Sequence, residues 1–421
     1  MLSYGAVIWG HTLENATTSQ QLSLNRLNRL AALMITFCRK GTPTAGLEVI
    51  YDLMPLDLFI IGEAIKAGYR IKSRNVTTWD GLGYKPSIQG HKKWADTNAK
   101  KLGLTSELDE ERPIRIWKKN YRVDKDSFEK GLPIKPQGTV CYTDGSKTNS
   151  GMVGWGFCYL GGCGTLTSER GCLGAQATVF QGEICAITQA AKMLLNIADN
   201  TVFFFVDSQA ALLALDSHVT NNQTVQKCVE ALNCLGQQKT IILRWVKAHV
   251  GHELNELADN LAKQGSEGQG IKMDVPISKS IVKTAVKEMA RARWNQRWQS
   301  RTDCRQTRIW YQSNNEAKSK ELLRQGRITL SIIVQFITGF NLLGYHQKHI
   351  QGQSYDSLCR LCLEDEESSW HLAAECPALA MNRREIFGST ILNHQPQWTI
   401  KQFVRLVSTK PMNRLLLSGE E

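Results

Sequence analysis

The run Thr139-Val-Cys-Tyr-Thr-Asp144, with Gly145-Ser146 behind it, reads as a short strand that delivers an aspartate at its end. Working outward, Gly154–Leu160 and Gly164–Leu173 form two more short strands, joined through Gly161-Gly162. Phe180–Ile197 carries Ile184, Ile187, Ala191, Leu194 and Leu195 on one helical stripe. Thr201–Val206 is a continuous β run, as expected for a strand covered on both faces. Helical patterns follow at Ser208–Asp216 and Gln223–Leu235, then a strand at Thr240–Val246 and a final helix from Glu253 to Lys263. Three strands followed by alternating helices and strands predict an α/β domain built on a mixed five-stranded sheet.

The topology gathers acids. If the first three strands form an antiparallel meander, the first and third run the same way. The 180–197 helix then leads into the strand ending at Val206 by a right-handed parallel crossover. With the first and fourth strands as neighbours, Asp144 and Asp207 emerge side by side at the carboxyl edge, where open α/β sheets build their sites. The crossover helix starts from that edge and brings Glu183 in its first turn; Asp259 lies on the last helix. Taken singly, Asp144 also fits a turn residue and Asp207 a helix cap. Converging carboxylates repel one another unless cations neutralise them. An all-oxygen ligand set suits Mg²⁺ or Mn²⁺ rather than zinc. Two such ions about 4 Å apart are a recurring device for phosphodiester cleavage.

Taken together, Cys141-Tyr-Thr-Asp-Gly-Ser146, Phe180-Gln-Gly-Glu-Ile-Cys-Ala-Ile187, Val206-Asp-Ser-Gln-Ala-Ala-Leu212 and Trp245-Val-Lys-Ala-His-Val-Gly251 with Asn255-Glu-Leu-Ala-Asp259 resemble, in order, the motifs of type 1 ribonuclease H. The resemblance spans about residues 138–265. It implies that Asp144, Glu183, Asp207 and Asp259 are the metal-binding carboxylates, and that His249 is the mobile histidine assisting proton movement and product release. It further implies that Gly145, Ser146 and, more weakly, Gln181 meet the 2′-hydroxyls that mark an RNA strand. The implied reaction hydrolyses the RNA strand of an RNA–DNA hybrid, leaving 3′-hydroxyl and 5′-phosphate ends. Two departures stand out. Leu254 replaces the usual glycine before the last motif, and the step from Asp207 to His249 leaves little room for a basic protrusion that grips hybrids.

The charge is distributed to match. The chain has 421 residues and a net charge of +12. Residues 138–265 hold 8 Lys/Arg against 10 Asp/Glu, whereas each flank carries a net +7. A slightly acidic centre between basic arms fits a carboxylate site served by segments that hold a polyanion. Residues 279–327 hold 13 Lys/Arg against 4 acids, and Trp294, Trp298 and Trp310 stand among them as expected packing anchors. If this helix grips phosphates, neutralising Arg291, Arg293 and Arg297 should flatten the salt dependence of binding. The rival reading is a solvated basic face. An apolar fraction of 42% and a charged fraction of 21% exclude disordered and fibrous classes. No stretch is apolar enough to span a bilayer, and Met1–Gly10 has neither a basic lead nor a cleavage site. Most of the 12 cysteines lack framework spacing, which predicts reduced thiols in an intracellular protein, nuclear or cytoplasmic and not secreted.

Cys359, Cys362, His371 and Cys376 make C-x2-C-x8-H-x4-C, a donor set that suits closed tetrahedral zinc. The spacing resembles a retroviral zinc knuckle with a longer acidic loop, Glu364-Asp-Glu-Glu367, which argues against that loop touching phosphate. An N-terminal Leu2-Ser-Tyr-Gly-Ala-Val-Ile-Trp9 with the Leu24–Met34 helix, then the nuclease, then this module, resembles the C-terminal part of a non-LTR retrotransposon polyprotein of the jockey or I type. That resemblance implies a helical reverse-transcriptase remnant at 1–75, an irregular linker at 76–137 and the nuclease at 138–267. A basic helical region at 268–350, a zinc module at 351–385 and a tail at 386–421 follow. The polymerase Tyr/Phe-x-Asp-Asp motif is absent, so no DNA synthesis is expected of this chain. The alternative reading is a silent nucleic-acid-binding remnant that uses the basic helices and the zinc module.

Overall fold

Val202-Phe-Phe-Phe-Val206 has no polar residue to offer water, and it becomes the centre of a sheet. The structure is a computed structural model. It describes residues 6, 10–15, 17–73, 97–98, 100–104, 107–109, 115–116, 118–130, 136–248, 252–354, 356–392 and 398–417. Two compact units divide the chain: Ile65–Val286, and Met1–Ala64 with Lys287–Glu421.

In the first unit, seven strands form one sheet: β1 (Arg122–Asp124), β2 (Thr139–Lys147), β3 (Val153–Leu160), β4 (Leu166–Gly174), β5 (Thr201–Val206), β6 (Thr240–Trp245) and β7 (Ile271–Lys272), in the order β1-β6-β5-β2-β3-β4-β7. β2, β3 and β4 form the antiparallel meander, while β2, β5, β6 and β1 run parallel. The short edge strands β1 and β7 lie beyond the five expected. At three and two residues they are too brief to show an alternation. β1 falls within the stretch read as irregular linker, of which residues 76–96 and 131–135 lie outside the described residues.

Four helices cover the sheet: α1 (Val179–Met193), α2 (Gln209–Asp216), α3 (Gln223–Gly236) and α4 (Glu253–Ser266). The odd-numbered side chains of β3, Val153, Trp155 and Phe157, join α1, α2 and α3 in the main core. Cys158 belongs to a separate cluster with Tyr142 and the α4 residues Leu254, Leu257, Ala258 and Leu261. The pleat alternates, so α4 holds the opposite face. Its close approach depends on Gly156, where a Cβ would stand 2.5 Å from the Ala262 amide nitrogen.

The second unit is helical around one apolar core that draws on residues 32–58 and 294–415 together. Segments separated in the sequence partition therefore share a single interior. Trp294, Trp298 and Trp310 are buried in it, as anchors. The basic helix Lys279–Gln299 spends its arginines here as well. Arg291 meets Asp52 and Glu316 at 2.9 Å each, and Arg297 forks onto both oxygens of Asp57 at 3.1 and 2.7 Å. Arg293 stands 3.8 Å from Glu14. These cations are tied to acids of the N-terminal segments while their side chains stay partly open to solvent. Arg297→Ala leaves the buried Asp57 without its partner, so it should cost about 1–3 kcal/mol of stability in this unit. It should leave the salt slope of nucleic-acid binding unchanged; a flattened slope would return Arg297 to the phosphate-gripping role.

Candidate active site

Register places the first two carboxylates. β2 and β5 pair in parallel from Thr139↔Val202 to Thr143↔Val206, and the next residues on each are Asp144 and Asp207. Asp144 is not a turn residue, because β2 continues through it and pairs it with Gly156 of β3. The Asp207 carbonyl is held by the Trp245 indole N–H at 2.9 Å, and Trp245 in turn lies tilted against Phe128.

Glu183 arrives on α1. Thr178 caps that helix in a reciprocal capping box with Gln181, which fixes its first turn. Gly145 lets strand and helix touch: a Cβ there would stand 2.5 Å from the Glu183 amide nitrogen. Carboxylate oxygens of Asp144, Glu183 and Asp207 consequently lie within 4.8 Å of one another. Asp259, on α4, faces Asp144 closely enough to push its proton affinity up, and it forms an ion pair with Lys263 at 2.7 Å. Leu254, in the first turn of α4, packs into the small core, and the helix forms intact without the usual glycine.

Burial and then the neighbouring Asp207 charge raise the Asp144 carboxyl to about 7. Burial, followed by the charges of Asp144 and Asp207, pushes Glu183 well above the ordinary carboxylate range. The Oε2 of Glu183 is buried and has no hydrogen-bond partner. Three crowded acids with an orphaned buried oxygen and no zinc-type donor fit Mg²⁺ or Mn²⁺.

A pH dependence follows. Asp144 has a folded pKa above its unfolded value, so its contribution to stability is full below about pH 4 and is lost as pH rises through about 7. The melting temperature of the metal-free Ile65–Val286 unit should therefore fall between pH 5 and 8. Added Mg²⁺ should restore most at the alkaline end. A flat profile in both conditions would mean the acids are not crowded as described.

The remaining expected residues lie as follows. Ser146 is half-buried beside Asp144, and the Gly145 N–H is already spent on the Asp144 carboxylate at 2.8 Å. Gln181 does not face a substrate: it is fully buried, and both ends of its amide are engaged inside the fold. His249 lies outside the described residues. The acid that sequence reasoning missed is Asp109, buried behind α1; nothing around it is periodic enough to have pointed there.

In the helical unit, ligand atoms of Cys359, Cys362, His371 and Cys376 lie within 4.8 Å of one another. The Cys359 and Cys376 sulfurs are 3.9 Å apart, and the Cys362 sulfur is 3.2 Å from His371 Nε2. Donors at zinc-ligand lengths of about 2.0–2.3 Å from one centre would be spaced comparably, so this cluster fits zinc. Its acidic loop is divided, with Glu364 and Asp365 exposed and the last two acids engaged. Glu367 is fully buried against Arg360, and Glu366 bonds His349.

A family model described as RNase H matches residues 136–267. The ribonuclease H of Thiobacillus denitrificans is 30% identical over 140 residues, covering 30% of this chain and 90% of that relative. Ribonuclease HI of Neisseria meningitidis serogroup B is 30% identical over 145 residues, covering 31% of this chain and 96% of its own length. The solved RNase H1 of Halobacterium salinarum is 20% identical, covers 31% of this chain and 97% of that one, and superposes with a TM-score of 0.26. At 30% identity across 90% of a relative's length, likeness amounts to membership: through residues 136–267 this chain belongs to the ribonuclease H family of hydrolases.

Proposed function

We propose that this chain hydrolyses the RNA strand of RNA–DNA hybrids at two divalent cations, Mg²⁺ or Mn²⁺, held by Asp144, Glu183, Asp207 and Asp259. The observation that carries the reading is the set of three carboxylates, from two strand ends and a helix, within 4.8 Å of one another. When bound, such ions would polarise the scissile phosphate and lower the pKa of an attacking water. The protein supplies the rest. Strand backbone fixes Asp144, the capped start of α1 orients Glu183 just beyond its first turn, and the Trp245 indole steadies Asp207. Ser146, next to Asp144 and half-buried, offers a hydroxyl to a ribose 2′-OH. His249 would shuttle the proton and assist product release.

The same reading makes the chain part of a retrotransposon-derived protein, acting in nucleus or cytoplasm and without polymerase activity. Cys359, Cys362, His371 and Cys376 would hold zinc in its helical unit. The test is a hybrid labelled on both strands and incubated with Mg²⁺. The RNA strand should disappear while the DNA strand and free single-stranded RNA persist. Cleavage of all three substrates at one rate, or of none, would refute the proposal.

A further inference from the structure

Asp109 sits upstream of the family match, in a stretch the sequence offers as irregular, yet it is a buried carboxylate with a full set of donors. Its Oδ1 accepts the Thr224 backbone N–H at 2.9 Å. Its Oδ2 accepts the Thr224 hydroxyl at 2.9 Å, the Asn222 amide at 3.0 Å and the Gln181 amide at 2.9 Å. Asn222 caps α3 and Gln181 completes the cap of α1, so one carboxyl group joins the N-termini of two helices. Both helix dipoles favour a negative charge at that point. The backbone is tied as well: Asp109 N–H donates to Ile277 at 2.8 Å, and Ile277 N–H donates to Glu107 at 2.7 Å.

Gln181 is the relay. Its Nε2 donates to Asp109 and, at 2.6 Å, to the Pro276 carbonyl. Its Oε1 accepts the Thr178 backbone N–H at 3.0 Å and the Thr178 hydroxyl at 3.2 Å. Two residues further along α1, just past that first turn, is Glu183, pressed against Gly145. We infer that Asp109 is a positioning residue for the active site: through Gln181 it sets the first turn of α1, and with it the Glu183 carboxylate in the cation cluster. The catalytic unit then needs the strap at 107–109, which the matched family segment leaves out. This rests on the cation-holding role proposed above for Glu183.

The test uses the full chain loaded with zinc, with Mg²⁺ binding followed by calorimetry without nucleic acid, well below the melting temperature. Asp109→Ala and Gln181→Leu should each weaken Mg²⁺ binding by about tenfold or more, the usual consequence of losing a group that orients a ligand. Asn222→Ala removes the cap of α3 and one of Asp109's bonds while leaving the Gln181 relay in place, so it should lower the melting temperature and leave Mg²⁺ affinity intact. If Asp109→Ala does not fold, Gln181→Leu alone decides. Unchanged affinity in the folded relay variants would make Asp109 a strap for stability only, overturning the inference. An Asp144→Asn control that also binds Mg²⁺ normally would instead refute the underlying cation site.

Discussion

Asp144→Asn is expected to remove hybrid cleavage, by about 10³-fold or more, while making the metal-free protein more heat-stable. The two effects share one origin. At separations near 4–5 Å, and with an effective dielectric of about 20, each like-charged pair costs roughly 3–4 kcal/mol when fully ionised. Protonation relieves part of that cost, since Asp144 titrates at about 7. An amide of the same shape removes the share of the repulsion that involves Asp144. The net gain should be about 1–3 kcal/mol, or a few degrees in the transition of the Ile65–Val286 unit at about 2–4 °C per kcal/mol. Mg²⁺ should reverse the ranking, because wild type gains binding energy that the variant forgoes. Hybrid binding should survive, since the groove contacts do not depend on one carboxylate. The measurement is thermal unfolding of both proteins with and without Mg²⁺, beside the cleavage assay. A variant less stable than wild type in the metal-free state would mean that Asp144 is held by favourable partners. The reading of the site as a repulsive cage would then fail.

How much of this was legible depends on how local each cause is. The adjacency of Asp144 and Asp207 follows from chain logic alone: an antiparallel meander and one right-handed crossover leave few options, and the register bears that logic out. The helix stripe carrying Ile184 and Ile187 and the apolar run before Asp207 are equally local signals, and both form the elements expected. What sequence did not reveal is pairing at a distance. Arg291 and Arg297 look like a phosphate-gripping face until Asp52 and Asp57, 239 and 240 residues away, turn out to hold them. Glu367 reads as one more charge in an acidic loop, yet it is buried against Arg360. Gln181 illustrates the converse error. Its motif neighbour Glu183 joins the carboxylate cluster, while its own amide is consumed by Asp109, a residue no periodicity marks. The seven-stranded count also escaped, because a two-residue edge strand such as β7 is defined by its partner β4 and not by its own composition.

Removing zinc should melt the helical unit and spare the nuclease. Cys359 and Cys376 are fully buried in the same core as Trp310, Trp398 and Phe403, so the Cys-Cys-His-Cys cluster is continuous with that interior and not an appended finger. The loop is braced around it. Glu367 accepts the Arg360 backbone N–H at 3.0 Å and its guanidinium at 2.7 Å, and also takes the Gly344 N–H at 3.1 Å, fixing the turn between Cys359 and Cys362. Burial, then the Cys359 charge, pushes the Cys376 thiol up to about 12, so a thiolate there needs a cation beside it. Structural zinc contributes about 10–16 kcal/mol of apparent binding energy. A domain's whole stability is about 5–15 kcal/mol. Subtracting the first from the second leaves little or nothing. Cys376→Ala, or a nitrogen-donor chelator with Mg²⁺ kept in excess, should therefore abolish the cooperative transition of the unit formed by Met1–Ala64 and Lys287–Glu421. One zinc per chain should be released, and cleavage of hybrids should persist, because its carboxylates lie in the other unit. Purified protein without zinc that still shows the helical transition, or cleavage that dies with the zinc, would separate these claims and defeat the first or the second respectively.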